Sequence, residues 1–329
     1  MNYDFKNKKI LIMGLGAYKE GSGVSAAEFF AKAGADVLIT DLRGEVDLSH
    51  QIKRLKKYKN IKYVLGEHRE KDFKSCNMVI KNPSVPKDSK YLKIAKKNNA
   101  EIHNDWSVFL TQKDNLLVAV TGTRGKSTTT TLINELLKNN FRSHLCGNIG
   151  VSPLAIISKV KKGDLVVAEL SSWLLHNFKA VRRSPNISVI TNLMPDHLNK
   201  YNGLKEYYDD KKNIFRYQKK NDILILNKDN KETRELQKEA KSDIFWFSKK
   251  PLAKNEKGTF LLDNEIFFQD EVKKEKIVNL KNIKLKGEHN KENILAAVCV
   301  AYILGVKKSD IQRTVNEFKG VKNRLEFLR

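Results

Sequence analysis

A glycine-rich segment between an apolar run and a helical pattern constrains the fold of this 329-residue chain more than any other feature. The run Leu116 to Val120 leads into Thr121-Gly122-Thr123-Arg124-Gly125-Lys126-Ser127, and a helical pattern follows from Thr128 to Lys138. Backbone N–H groups of such a loop can close on phosphate oxygens, its lysine adds positive charge, and its serine hydroxyl can reach Mg²⁺. The spacing departs from G-x-x-x-x-G-K because Val120 stands at the first glycine position. The segment predicts a nucleotide site in an α/β domain.

A second strand–loop–helix pattern opens the chain. The apolar run Lys8 to Met13 ends in Gly14-Leu15-Gly16, a helical pattern covers Val24 to Ala33, and another run, Val37 to Thr40, ends at Asp41. Apolar runs of this length on either side of a helix are typical of a βαβ unit. Residues 1–112 are therefore predicted to form a Rossmann-like domain.

The first glycine loop does not match a dinucleotide-binding fingerprint. In G-x-G-x-x-G the third glycine would be residue 19, which is Lys19 here. Residues 17–21 look like an insertion before Ser22-Gly23. This departure argues against an NAD-dependent dehydrogenase.

The later part of the chain repeats the alternation of strands and helices. Strands are predicted at Met78 to Ile80, Leu165 to Ala168, Ile187 to Thr191, Ile223 to Leu226 and Ile244 to Phe247, with a hairpin from Thr259 to Phe268 around Asp263-Asn264. Alternation of this kind predicts a mostly parallel sheet. The polar interval Gln112 to Asn115 is the expected domain boundary. We therefore expect an α/β protein with a Rossmann-like domain at 1–112, a central P-loop-type domain at 113–320 and the start of a linker at 321–329.

Composition excludes several classes of protein. The net charge is +24, but lysines occur in every segment, which favours a lysine-rich solvated surface over a nucleic-acid footprint. Cys76, Cys146 and Cys299 lack the spacing of a disulfide framework or zinc site. The longest apolar stretch, Ile294 to Val306, is too short to span a bilayer, and the N-terminus does not read as a signal peptide. We expect a cytoplasmic protein that binds neither nucleic acid nor membrane.

Several separated segments complete a recognisable pattern. They are Thr121 to Thr128, Gly147-Asn148-Ile149-Gly150, Glu169-Leu170-Ser171-Ser172, Asn192 to Tyr201 with Asp196-His197, and Gly287 to Asn293. In these motifs and in their order the chain resembles the Mur ligases, over nearly all of its length. The resemblance implies an ATP-dependent amide-forming enzyme of peptidoglycan synthesis.

Further motifs favour one reaction within the family. Gly14-x-Gly16, Lys81-Asn82-Pro83 and Glu169-Leu170-Ser171-Ser172 together resemble the ligase that adds D-glutamate to UDP-N-acetylmuramoyl-L-alanine. The implied substrates are that UDP-sugar, D-glutamate and ATP, with an acyl phosphate as intermediate. A monomer is expected. The alternatives are another Mur-type amide ligase and a catalytically silent protein that binds UDP-sugar and ATP.

The resemblance assigns an ATP site and a metal site. The ATP-binding residues would be Gly122, Thr123, Arg124, Gly125, Lys126, Ser127, Thr128, Asn290, Asn293 and Arg324. The catalytic residues would be Lys126, Glu169, His197 and Lys211. Two Mg²⁺ ions are implied, with Ser127 and Glu169 serving one, and His197 and a carbamylated Lys211 serving the other. Lys211 follows His197 by 14 residues, and the register leaves Lys212 as an alternative.

The UDP-sugar site is expected mainly on the N-terminal domain. Its residues would be Gly14, Leu15, Gly16, Asp41, Leu42, Arg43, Asn82, Asn148 and Ser171, with Asn148 reaching over from the central domain. An ordinary ion pair at the strand end explains Asp41 and Arg43 equally well.

A third, C-terminal domain helps Mur ligases to bind the amino acid and ATP. The chain ends just past Arg324, so we expect these residues alone to bind UDP-sugar, to bind ATP weakly and to show little ligase activity.

Overall fold

The computed structural model describes residues 4–196, 201 and 203–321. Its first elements are β1 (Lys9–Met13), α1 (Ser22–Lys32), β2 (Asp36–Asp41), α2 (Ser49–Leu55), β3 (Ile61–Leu65), α3 (Glu70–Ser75), β4 (Met78–Lys81), α4 (Lys90–Lys97), β5 (Glu101–His103) and α5 (Asp105–Gln112).

The elements that follow are β6 (Leu116–Thr121), α6 (Lys126–Leu137), β7 (Ser143–Gly147), α7 (Pro153–Ile156), β8 (Leu165–Glu169), α8 (Ser172–Leu175), α9 (Phe178–Val181), β9 (Ile187–Ile190), α10 (Leu204–Lys212), β10 (Ile223–Asn227) and α11 (Lys231–Glu235). After a 3₁₀ turn at Leu236–Glu239 come β11 (Asp243–Ser248), β12 (Gly258–Leu262), β13 (Glu265–Gln269), β14 (Lys274–Asn279), α12 (Glu288–Ile303) and α13 (Lys308–Glu317).

The chain divides into two compact units. The first comprises the residues up to Asp114 together with 146–161 and 176–182, and the second comprises 115–145, 162–175 and the residues from Arg183 onward. The first break falls within the polar interval expected from the sequence.

The first unit is built on a parallel five-stranded sheet. Its strand order is β3-β2-β1-β4-β5, with Leu11 opposite both Leu38 and Val79. One side of its core packs Met13, Phe73 and Leu92 beside these strands. Because these strands are parallel, the carboxyl ends of β1, β2 and β4 lie at the same end of the sheet, where α/β proteins bind ligands.

The second unit is built on a nine-stranded sheet. Its strand order is β14-β13-β12-β11-β10-β9-β6-β8-β7, and the pairs from β12 to β8 are parallel. β12, β13 and β14 are antiparallel, and Asp263 and Asn264 between the first two have φ angles of 50° and 59°. Two consecutive positive φ values are the signature of a tight type I′ turn, which confirms the predicted hairpin.

The long apolar segment near the end of the chain is a core helix. In α12 every residue from Ile294 to Ala301 is buried, and the helix packs on α6 and on β10, β11 and β12. A helix buried on all sides has no polar stripe, which explains the unbroken apolar run. Within the part of the chain that the structure describes, no helix combines the length and apolar character needed to cross a membrane.

The predicted α/β class with parallel-rich sheets is confirmed, and the predicted strands are all present. Four strands were not predicted, namely β3, β5, β7 and β14, and these are the outermost strands of the two sheets. An edge strand has a neighbour on one side only, so it carries polar residues such as those of Lys274–Asn279 and lacks a continuous apolar run.

Candidate functional site

The phosphate loop joins β6 to α6 and depends on two glycines. Gly122 has φ +150°, and Gly125, the residue before the first turn of α6, has φ +80°. A Cβ on Gly122 would lie 1.9 Å from Oγ1 of Thr191, and one on Gly125 would lie 2.3 Å from Oδ1 of Asn293. Backbone strain and lack of space therefore both exclude a side chain at these positions.

Residues after β9 hold the loop in place. The N–H of Thr123 donates to the carbonyl of Asn192 (2.9 Å), and the N–H of Arg124 donates to Oδ1 of Asn192 (2.9 Å). Thr191 donates its hydroxyl to the Arg124 carbonyl (2.6 Å), and the N–H of Met194 donates to Oγ1 of Thr123 (3.0 Å). Sequence reasoning missed this role of Thr191 and Asn192. The available signal was a polar pair directly after a buried strand.

Two lysines converge on the loop carbonyls. Nζ of Lys126 donates to the carbonyls of Gly122 (3.1 Å) and Thr123 (3.0 Å). Nζ of Lys211 also donates to the Gly122 carbonyl (2.8 Å) and lies 4.7 Å from the centre of the Tyr207 ring. Both predicted lysines are thus at the phosphate loop.

Lys211 is an unusual lysine. Its side chain is only 2% exposed, and burial, followed by the nearby charge of Lys126, lowers its pKa well below the ordinary value. Lys212 instead forms an ion pair with Glu239 at 2.5 Å. Of the two lysines that the sequence left open, only Lys211 contacts the phosphate loop.

Oxygen donors for a divalent cation come from a strand end and from the helix that follows the phosphate loop. Glu169, the last residue of β8, is 1% exposed and lies opposite Val120 in the sheet. Ser127, in the first turn of α6, is 6% exposed. A carboxylate and a hydroxyl are hard oxygen ligands, which Mg²⁺ prefers, so this pair fits the ion.

The second metal site is not tested by the structure. His197 lies outside the described residues. Among the residues that are described, no three His, Cys, Asp or Glu side chains form a group that could hold a metal. Mg²⁺ commonly takes one or two carboxylates and completes its shell with phosphate oxygens and water, as the Glu169 and Ser127 pair would require.

The two predicted adenine-binding asparagines belong to a buried amide network. Asn293 accepts the Thr129 hydroxyl at 3.2 Å and donates to Oδ1 of Asn290 at 3.0 Å, while Asn290 donates to the Lys286 carbonyl at 2.7 Å. These bonds connect the start of α12 to α6, beside Gly125. Contact with adenine stays a prediction. Thr128 lies in the first turn of α6, and Arg324 lies outside the described residues.

In the first unit, Asp41 connects the ends of β1 and β2. Its carboxylate accepts the N–H of Leu15 (2.9 Å) and the N–H and Nε of Arg43 (both 3.0 Å), and lies 2.7 Å from a terminal guanidinium nitrogen of Arg43. Burial alone would raise the pKa of Asp41, but these hydrogen bonds outweigh it and hold the pKa below its usual value. Arg43 also donates to the Gly16 carbonyl at 3.4 Å. Asp41 and Arg43 therefore form an ion pair that also hydrogen-bonds to the glycine loop. Leu42, which lies between them, is 67% exposed.

Close backbone approaches shape the same glycine loop. A Cβ on Gly16 would lie 2.8 Å from Nδ2 of Asn82, and one on Gly14 would lie 3.2 Å from Cβ of Asn82. A Cβ on Gly23 would lie 2.2 Å from the Gly14 carbonyl oxygen. Gly23 thus allows the close helix–strand packing that the third glycine provides in a dinucleotide fingerprint. Sequence reasoning placed Gly23 after an insertion but did not assign it this role.

The last two predicted UDP-sugar residues lie in different units. Asn148 is in a turn after β7 and is grouped with the first unit, as are Gly14 and Asp41. Ser171 belongs to the second unit, where its Oγ accepts the N–H of Leu174 at 3.4 Å in the first turn of α8.

This combination of a modified phosphate loop, an acidic strand end and a buried lysine is that of a nucleotide-dependent ligase. The Mur ligase middle domain matches residues 120–301, and the Mur ligase MurD-like N-terminal domain matches residues 8–104. The chain belongs to the Mur ligase family, whose members are ATP-dependent amide-forming enzymes.

Curated relatives extend the match along the chain. A UDP-N-acetylmuramoylalanine–D-glutamate ligase of Acetivibrio thermocellus is 38% identical over 98% of this chain and 67% of its own. A protein of the same name from a Roseiflexus species is 36% identical over 98% of this chain and 70% of its own. The relatives are therefore longer than the sequence described here.

Solved structures share the fold. A UDP-N-acetylmuramate:L-alanyl-gamma-D-glutamyl-meso-diaminopimelate ligase from Neisseria meningitides has a TM-score of 0.64 at 18% identity, over 96% of this chain and 99% of its own. A UDP-N-acetylmuramate-alanine ligase from Thermotoga maritima has a TM-score of 0.55 at 21% identity, over 96% of this chain and 69% of its own. At these identities the likeness supports the fold alone.

Proposed function

We propose that this chain binds UDP-N-acetylmuramoyl-L-alanine and ATP for the ligation of D-glutamate. In the first step a carboxylate oxygen of the UDP-sugar attacks the γ-phosphorus of ATP, and ADP leaves with the electrons of the broken P–O bond. In the second step the amine of D-glutamate attacks the acyl phosphate, giving an amide, phosphate and a proton. The supporting observation is the phosphate loop of β6 and α6 with Lys211 buried against it, in a chain whose relatives carry this activity in their names.

The second unit provides the phosphoryl-transfer chemistry. The N–H groups at the start of α6 and the ammonium of Lys126 bind and orient the phosphates, and their positive charge offsets the charge that develops on the transferring group. Lys126 leaves the Gly122 and Thr123 carbonyls when it takes up a phosphate oxygen. Ser127 and Glu169 would hold one Mg²⁺, which when bound neutralises charge on the phosphate oxygens. His197 and Lys211 are proposed for a second ion.

Lys211 is proposed to be carbamylated. A lysine reacts with CO₂ only as the neutral amine, and burial and the charge of Lys126 favour that form. The product is a carboxylate-like group that turns a nitrogen donor into oxygen ligands. The Gly122 carbonyl and the Tyr207 ring would position it.

The first unit is proposed to bind the UDP-sugar, with residues 1–112 as the UDP-sugar domain and 113–320 as the ATP domain. The loop at Gly14 to Gly16 would receive the diphosphate, with Asp41, Leu42 and Arg43 at the adjacent strand end. Asn82 and Asn148 complete the proposed site in this unit, and Ser171 of the second unit stays a predicted UDP-sugar residue. The protein is proposed to be a monomer and to act in the cytoplasm.

Titration calorimetry tests the proposal. We expect the chain to bind UDP-N-acetylmuramoyl-L-alanine and a non-hydrolysable ATP analogue, and not NAD. Binding of NAD, or salt-sensitive binding of an oligonucleotide, without binding of the UDP-sugar would contradict it.

A further inference from the structure

Arg124 differs from the other cations of the phosphate loop. It stands between Gly122 and Gly125 and is exposed. Lys126 and Lys211 both donate to loop carbonyls. Within the described part of the chain, by contrast, the guanidinium of Arg124 forms no hydrogen bond or ion pair.

The backbone of Arg124 is nevertheless firmly held. Asn192 accepts its N–H at 2.9 Å, and its carbonyl accepts the Thr191 hydroxyl at 2.6 Å and Nδ2 of Asn192 at 3.3 Å. Neighbouring side chains thus bind both backbone polar groups of this residue. The side chain therefore starts from a fixed point while its charged end remains available, which lowers the entropy lost when it binds.

The charge of Arg124 also acts on the interior of the site. Burial raises the pKa of Tyr207, and Arg124 is among the groups that oppose this shift. The Tyr207 hydroxyl lies 3.4 Å from Oγ1 of Thr123, and its ring lies beside Nζ of Lys211. Arg124 thus contributes to the electrostatics of the face of the loop that carries Lys211.

We infer that Arg124 is a catalytic residue that stabilises the transition state of phosphoryl transfer, as an arginine supplied from within the phosphate loop itself. This inference rests on the proposed function. When the bond from the γ-phosphorus to the bridging oxygen breaks, charge builds on that oxygen and on the β-phosphate. The guanidinium donates two hydrogen bonds in one plane to such oxygens, which a lysine cannot do. No proton moves in this step because the nucleophile is a carboxylate.

Arg124 and Lys126 are expected to stabilise different states of the reaction. Lys126 already neutralises the phosphates of bound ATP, so removing Arg124 should affect the transition state far more than the nucleotide complex. Arginines in this role in other phosphoryl-transfer enzymes contribute about 10³–10⁵-fold to the rate.

The experiment uses the affinity for ADP with Mg²⁺, measured with and without aluminium fluoride in the presence of UDP-N-acetylmuramoyl-L-alanine. Aluminium fluoride with ADP mimics the transferring phosphoryl group, so the gain in affinity reports on transition-state stabilisation. We expect Arg124→Ala to lose about tenfold or more of this gain while the affinity for ADP alone changes less than about threefold. Arg124→Lys should retain part of the gain. Arg313→Ala, which removes an exposed arginine of α13 paired with Asp310, is the matched control and should behave as the wild type.

Each other outcome is decisive. An undiminished gain in Arg124→Ala would overturn the inference, as would an equal loss of affinity for both ligands, which would make Arg124 a ground-state phosphate ligand. A wild-type chain that binds ADP with no gain from aluminium fluoride would also overturn it and leave the proposed ATP site intact. A wild-type chain that binds no adenine nucleotide would contradict the proposed function itself.

Discussion

Nζ of Lys211 lies 2.8 Å from the carbonyl oxygen of Gly122, although the two residues are 89 positions apart in the chain. Gly122 is the first glycine of the phosphate loop, and Lys211 is in the last turn of α10. The contact places a buried amine, whose pKa is lowered by burial, at the site proposed for phosphoryl transfer. The proposed carbamate and its dependence on neighbouring charges follow from this contact.

Carbamylation of Lys211 is directly observable. With ¹³C-labelled bicarbonate, the wild-type chain should give a ¹³C NMR carbamate signal that is absent from Lys211→Ala. Lys212→Ala is the control and should keep the signal, because Lys212 is paired with Glu239 instead. Loss of the signal in Lys212→Ala alone would show that the register is off by one. If ligase activity is measurable, a short carboxylate should partly restore it in Lys211→Ala.

The charge of Lys126 should control that carbamate. Lys126 helps to lower the pKa of Lys211, so Lys126→Ala raises this pKa and leaves less neutral amine at a given pH. It also removes a cation that attracts the carbamate anion. The carbamate signal should therefore weaken at pH 7 and recover only at higher pH.

Lys138→Ala is the control for this prediction, because Lys138 follows the same helix and is paired with Glu135. An unchanged signal in Lys126→Ala would refute the coupling. Lys126→Ala should also abolish phosphoryl transfer without unfolding the chain.

Gly125 should not tolerate a side chain. Gly125→Ala forces a residue with a Cβ to adopt φ +80° and places this atom 2.3 Å from Oδ1 of Asn293. The free energy of unfolding, measured in urea, should fall by about 1–3 kcal/mol, the range for a strained backbone position. In an Asn293→Ala background, Gly125→Ala should cost less than in the wild type, because only the backbone strain remains.

Gly44→Ala provides the comparison for Gly125→Ala. No atom lies within 4 Å of the Cβ that it would carry, and its φ is not positive. Its unfolding free energy should therefore stay close to the wild-type value. Equal effects of the two substitutions would contradict the structural argument.

Asp41 should make stability depend on pH in the acid range. Its pKa is lowered in the folded chain, so its contribution is present above the unfolded value of about 3.9 and is lost as the pH falls through the folded value. Because Arg43 is 39% exposed, we expect Asp41→Asn to cost only about 1 kcal/mol at pH 7. This cost should shrink when denaturation is repeated below about pH 4.

Asp36→Asn is the control for Asp41→Asn, since Asp36 is exposed at the opposite end of β2. It should leave the pH dependence unchanged. In Asp41→Asn, affinity for UDP should also fall, because the carboxylate holds the Leu15 N–H in the glycine loop. Normal UDP binding by this variant would argue against the proposed uridine diphosphate site.

Local patterns determined the class of fold and the central strands. Helices cover both faces of a parallel sheet, so its central strands are buried on both faces. β1, β6, β8, β9 and β10 therefore appear as apolar runs that can be recognised without a partner. The outermost strands β3, β5, β7 and β14 lack this signal, because solvent reaches one of their sides. Their assignment required the sheet itself.

The candidate site divides in the same way. The sequence alone determined the phosphate loop, because glycines, a lysine and a serine between a strand and a helix are a local pattern. Only the tertiary structure placed Lys211, and not Lys212, against the phosphate loop, assigned Thr191 and Asn192 to the backbone of Arg124, and brought Gly23 against Gly14. The physical reason is that hydrogen bonds and close contacts depend on distance in space, and the packing of β9, α10 and α1 sets these distances between residues that no local pattern connects.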